Sequence, residues 1–170
     1  MPDFGLPDVD SELCLSLGQI VIRWSTVEYL IALLLGTFLS ADQGGMMVIT
    51  NSVAVSTQSK WLRALMASHE HEAHSNTPVV KLLDRADELR SERNEFIHGM
   101  WDTTGCQSKT ALIQTVNLDR AEIIKTRLVT LKDLNDLRID IEAWIDDYVT
   151  LGRELGFPRH RGKTKSIFVD

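Results

Sequence analysis

Apolar residues in the first forty positions of the chain recur with a helical period. Leu13, Leu17, Ile20, Trp24, Val27, Ile31, Leu34 and Phe38 alternate steps of four and three, an unbroken heptad seam. Val21, Leu30 and Leu35 broaden the seam into a face, which suits a bundle helix better than a two-stranded coiled coil. Asp10 or Ser11 is placed to cap its start, and Asp42-Gln43-Gly44-Gly45 to end it. Beyond it, Met46-Met47-Val48-Ile49-Thr50 is short and apolar, and Trp61, Leu62, Leu65 and Met66 have helical spacing. The pattern predicts a short helical turn, a break near Asn51-Ser52 and a helix over about 54–70, although Val48, Ile49, Val53 and Val55 favour strands.

A third main helix is predicted to open at Thr77-Pro78, a cap followed by proline at the first helical position. Its seam runs through Val79, Leu82, Ala86, Leu89, position 93, Phe96 and Ile97, and Gly99 ends it. The period then changes. Asp102-Thr103-Thr104-Gly105 reads as a turn and Thr110–Val116 as a strand, which together predict a small β-hairpin between Trp101 and Val116. Thr130-x-x-Asp133 is a capping box ahead of the last helix. That helix shows an apolar face of Leu134, Leu137, Ile141, Trp144, Ile145, Tyr148, Leu151 and Leu155, and Gly156 with Pro158 stops it. The expected fold is all-α: a four-helix, up-and-down-like bundle with a small β-hairpin after the third main helix. Residues 1–158 form a single domain in this reading, and 159–170 a tail.

Composition narrows the class. The chain has 170 residues, 44% hydrophobic and 25% charged, the profile of an ordinary globular protein that buries its own core. The tryptophans at 24, 61, 101 and 144 are read as core. Cys14 and Cys106 are too few for a disulfide framework and lack a base nearby in sequence, so nucleophilic thiol chemistry is unsupported. The longest apolar stretch, Val27–Leu39, is shorter than the roughly 20 residues of a membrane span. No basic leader precedes it, and the expected location is cytoplasmic, away from membranes. Net charge is −6, which argues against general nucleic-acid binding. The charge is uneven: Arg159, Arg161, Lys163 and Lys165 against Asp170 give the tail +3, and residues 1–158 carry −9. A tail of this kind is usually solvated, but one can hold a polyanion by counterion release.

Chemistry concentrates at Arg93-Asn94-Glu95-Phe96-Ile97-His98. Arg93 stands where the helix seam asks for an apolar residue, a costly place for a guanidinium unless it is paired or lines a solvated cavity. Asn94 and His98 share one helical face, with Arg93 on the adjoining edge. Histidine titrates near neutrality and moves protons, and arginine clamps an anionic phosphorane-like transition state at two points. The plain structural alternative is a buried ion pair of Arg93 with Glu28, with His98 capping the last carbonyls of its helix.

The run Arg-Asn-x-x-x-His, followed by Gly99 and Trp101, resembles the Arg-x(4–6)-His motif of the HEPN superfamily. The context is similar over residues 10–155: a long amphipathic first helix with an internal glutamate, the motif late in a middle helix, and a closing helix with a Thr-x-x-Asp start. The resemblance implies a metal-independent endoribonuclease acting as a homodimer, without cofactor, in a toxin–antitoxin or phage-defence setting with an antitoxin partner. It assigns proton transfer to His98, phosphate binding to Arg93 and phosphate orientation to Asn94. The RNA 2′-hydroxyl is then the nucleophile, leaving a 2′,3′-cyclic phosphate and sparing DNA. Relatives without activity serve as dimeric binding modules, the alternative reading. His69-Glu70-His71-Glu72-Ala73-His74 departs from the zinc-protease pattern; only His71 and His74, three apart, remain as weak metal candidates, and a solvated helix end is the plainer reading. No phosphate loop or dinucleotide fingerprint is present.

Overall fold

A computed structural model describes residues 10–68, 73–103, 108–117 and 122–155. In chain order these form α1 (Ser11–Phe38), α2 (Gln43–Ser52), α3 (Val55–Ser68), α4 (Ala73–His98), β1 (Met100–Asp102), β2 (Thr110–Asn117), β3 (Glu122–Thr130) and α5 (Leu131–Glu154). The described residues are mostly helical, with one small antiparallel sheet in the order β1-β2-β3.

The Asp10 side chain caps α1 by accepting from the Glu12 amide at 2.8 Å. Leu13, Ile20, Trp24, Val27, Ile31 and Leu34 of the seam are buried, and Leu17 and Phe38 pack partly against them. The face widens through Ala32 and Leu35; Val21 instead turns to solvent beside Leu15 and Ile22. The Asp42–Gly45 turn starts a helix rather than only ending one, since Asp42 accepts from the Gly45 amide and caps α2. By length and composition α1 is long and apolar enough to cross a membrane, with an 18-residue window of mean hydropathy 1.5. Of that window, 44% is buried inside the fold.

Polar contacts fix the helix directions. Asp10, at the head of α1, accepts from the Ser108 hydroxyl and the Lys109 amide, while the Leu131 amide, at the head of α5, donates to the Lys109 carbonyl. Both helices therefore start at one turn of the sheet and run away from it side by side, tied further along by Arg23 and Glu142. On α4, Arg85 pairs with Asp140 at 2.6 Å, and the Leu82 carbonyl accepts from Trp144 of α5 at 2.8 Å. Arg63 of α3 bridges Asp84 and Asp87 of α4. Helix α4 runs toward the sheet and delivers its last turn there.

Three expectations are corrected. The third main helix opens at Ala73, not at Thr77-Pro78; Pro78 is the sixth residue of that helix, past the four amides that have no partner, so it removes one bond from the ladder near the helix start. The hairpin is a three-stranded sheet: Met100–Asp102 is itself a strand on β2, and β3 adds a third. Trp61 is exposed by 47% on α3, while Trp24 and Trp144 are core and Trp101 is half-buried. The capping box is formed, with the Thr130 hydroxyl accepting from the Asp133 amide and the Asp133 carboxylate accepting from the Thr130 amide. Burial works against the Asp133 charge, but the Thr130 bonds and Arg127 outweigh it and hold the carboxyl below the usual aspartate range. The basic tail, 159–170, lies outside the described residues.

Candidate functional site

The site is built on the last turn and a half of α4, where three fastenings hold the backbone. Phe96 is buried in the core. Its carbonyl accepts from the Trp101 indole at 2.8 Å, which folds β1 back onto the helix end. The Gly99 amide donates to the Glu95 carbonyl at 3.1 Å, and Gly99 lies flat against β2. A Cβ at 99 would overlap Ile113 Cγ2 and stand 2.6 Å from the Glu95 carbonyl oxygen. Gly99→Ala is therefore expected to destabilise the fold by about 1–3 kcal/mol, the usual cost of overpacking. In a double-mutant cycle with Ile113→Ala, itself costly because Ile113 is buried, the combined loss in urea denaturation should fall short of the sum of the two single losses, a partial recovery, because one of the two clashes is with the isoleucine. No recovery would mean that the backbone at 95–99 carries the strain alone.

On this platform Arg93, Asn94 and His98 come together. The Arg93 Nη1 donates to Asn94 Oδ1 at 2.9 Å and stands 3.5 Å from His98 Nε2. At that length the imidazole contact is weak, and Nε2 can meet it only as an acceptor, hence as neutral histidine. Arg93 and Asn94 are half-buried and His98 is exposed, so the group opens to solvent. The Arg93 Nε is buried and has no hydrogen-bond partner.

The ion pair expected between Arg93 and Glu28 is not formed. Among the described residues no carboxylate pairs with Arg93, whose bonds run to Asn94 and His98. Glu28 is exposed and accepts from the Trp24 indole at 2.8 Å. The reason is helix length: from Asp10 at the sheet end to Glu28, α1 climbs about 27 Å, whereas Arg93 stays at the sheet end. Sequence periodicity places Arg93 on a core-side face but says nothing about how far along its own helix each residue sits relative to the other.

The opposite side of the same turns carries a second set of charges that sequence reading did not single out. Glu95 pairs with Lys125 at 2.7 Å and Arg127 at 3.7 Å, both from β3. Arg127 also reaches Glu92 and Asp133 and lies over the Phe96 ring, 5.1 Å from its centroid. At about 100° per residue, Arg93 and Asn94 lie roughly 100–160° round the helix from Glu92 and Glu95, which meet the sheet, and His98 falls between Asn94 and Glu95. The alternation of Lys125 and Arg127 was the available signal for these anchors.

Among the described residues no group of three or more His, Cys, Asp or Glu side chains is placed to hold a metal ion. His71 and the His74 side chain lie outside the described residues. Comparison with protein-family models, curated proteins and solved structures finds no match for this chain.

Proposed function

We propose that the chain is a HEPN-like, metal-independent endoribonuclease whose site is Arg93, Asn94 and His98, carried on a helical bundle of α1, α3, α4 and α5. The observation that carries this reading is the state of Arg93: a half-buried guanidinium, bonded to Asn94 and near His98, with a buried Nε unpartnered and no carboxylate in attendance. A guanidinium placed this way suits an incoming phosphate, which offers the anionic oxygens that the fold withholds.

In the reaction, the ribose 2′-oxygen attacks the adjacent phosphorus while His98 takes its proton. The P–O2′ bond forms, the P–O5′ bond breaks, and a proton returned by an imidazole completes the leaving 5′-hydroxyl. Arg93 offsets the charge that grows on the non-bridging oxygens, and Asn94 fixes the guanidinium plane. A homodimer serves this scheme, since a second His98 can act as acid while the first acts as base. Leu15 and Ile22, exposed by 63% and 67% on α1, and Ile139, exposed by 52% on α5, offer apolar surface for such a pairing. A mass of twice 19.2 kDa in sedimentation at micromolar concentration is expected, and the single-chain mass would oppose it. An antitoxin partner fits the same reading.

One observation favours the rival, a silent binding module. Lys125 and Arg127, the cations nearest the motif on β3, are already paired with Glu92, Glu95 and Asp133 and do not form a free basic groove. The two readings separate in an RNA-cleavage assay of the wild type against His98→Ala. Stability offers a second test. Because Arg93 lacks an ion pair, Arg93→Ala should change the unfolding free energy by less than about 1 kcal/mol. A loss of roughly 3–5 kcal/mol would instead identify Arg93 as half of a buried pair.

A further inference from the structure

Far from the Arg93–His98 group, where α2 turns into α3 against the middle of α1, lies a cleft of about 250 Å³. Ser25, Glu28 and Tyr29 of α1 line one side; Thr50, Val53–Val55 and Gln58 line the other. Gln58 is only 3% exposed, yet its Oε1 is buried without a partner. Its amide cannot be turned round to cure this. The Nε2 donates to the Ile49 carbonyl at 3.1 Å and the Val53 carbonyl at 2.7 Å, closing the α2–α3 turn, and a flipped amide would set oxygen against oxygen. Oε1 is thus a fixed acceptor in need of a donor.

The other polar walls share that character. The Ser25 hydroxyl spends its hydrogen on the Val21 carbonyl at 3.0 Å, and the Thr50 hydroxyl spends its own on the Met46 carbonyl at 2.9 Å. Both oxygens therefore keep only acceptor lone pairs for the cleft. Glu28 accepts the Trp24 indole on Oε1 and keeps its other carboxylate oxygen for the cleft. Among the described residues no lysine, arginine or histidine lines the space. The end of α2 and the start of α3 meet here, so their opposed dipoles largely offset each other and the side chains decide the sign.

We propose that this cleft binds a small organic cation rich in N–H donors, a primary ammonium or guanidinium compound. Its charged head donates to Glu28 and Gln58 Oε1, and its alkyl stem lies on Val53, Val55 and the Tyr29 ring. The volume equals roughly eight waters at about 30 Å³ each, enough for a short diamine or an aminoguanidine and too small for a nucleotide. The site is independent of the ribonuclease reading.

The test uses the full chain and agmatine, which carries a guanidinium at one end and an ammonium at the other. Calorimetric titration should show saturable binding of one molecule per chain. The Gln58 side-chain amide resonances should shift along the same isotherm, because Oε1 takes up a new bond. Glu28→Gln keeps an acceptor for Trp24 and removes only the charge; it should weaken binding by about 10-fold or more. Ser25→Ala, at an exposed position that leaves the fold untouched, should weaken it less. No saturation at millimolar agmatine would overturn the proposal. So would binding that leaves the Gln58 resonances still or survives Glu28→Gln undiminished, since that is diffuse attraction to an acidic surface.

Discussion

Trp144→Ala should cost roughly 3–5 kcal/mol of unfolding free energy, at the upper end of what a single core truncation does. Trp144 is 1% exposed and sits on the side of α5 that meets α4. Its indole donates to the Leu82 carbonyl at 2.8 Å, and its ring stacks on Tyr148 with centroids 5.8 Å apart. Burial pushes the Tyr148 phenol up to about 12, so this pair stays uncharged and apolar at any ordinary pH. Alanine leaves a void that rigid helices cannot close, and the transfer and cavity costs add. Trp144→Phe keeps most of the volume and drops the bond to Leu82, so it should fall well short of that loss, with the bond itself worth on the order of 1 kcal/mol. Urea midpoints read both. A loss below about 1 kcal/mol for Trp144→Ala would mean that α4 is not held by α5, and the placement of the α4 end would need another explanation.

The same tryptophan shows what could be read from the sequence. Leu134, Leu137, Ile141, Trp144 and Tyr148 recur with the helical period and are buried as expected, because one apolar stripe facing one core is a local property. Caps are local too: Asp10 and the Thr130–Asp133 box bind backbone amides two or three residues away, and their chemistry is written in adjacent letters. The sheet was only half readable. Val129 and Arg127 face inward while Ile123, Ile124 and Leu128 are exposed, so β3 lacks the clean alternation of a half-buried strand. Its pairing with β2, interrupted by a bulge at Thr115/Val116, rather than its own hydrophobicity, makes it a strand.

The site divides along the same line. Arg93, Asn94 and His98 meet because all three lie within five residues of one helix, and the four-residue spacing of Asn94 and His98 on one face is legible in the sequence. The absence of a Glu28 partner is not, because it depends on the level at which two helices distant in sequence pass each other. Nor are Lys125 and Arg127, which reach Glu95 only once β3 has docked. That outcome changes the meaning of Arg93. Paired with Glu28 it would have been a structural cation; as it stands it is a charge with donors in reserve.

If that reserve serves phosphate, purified protein should cleave single-stranded RNA without added metal and keep cleaving in a chelator. The nucleophile is the ribose 2′-hydroxyl, already beside its phosphorus, so the protein need supply only a proton carrier and a fixed positive charge. Products should end in 2′,3′-cyclic phosphate, and DNA of the same sequence should stay whole. His98→Ala should lower the rate on the order of 10²–10⁴-fold, the span of a positioned acid–base group. The fold should survive, because the His98 side chain is exposed and its one contact, at 3.5 Å to Arg93, is weak. Arg93→Lys should also be poor despite its charge: an ammonium cannot make the planar two-point contact with a phosphate that a guanidinium fixed on Asn94 Oδ1 can make. Mixing the two inactive variants gives a sharper result if two copies share one reaction. Recovery of cleavage in the mixture would show His98 of one chain working with Arg93 of another. RNA left intact by the wild type across several substrates, or cut as fast by His98→Ala, would leave the helix end as a binding surface and the guanidinium as its anion contact.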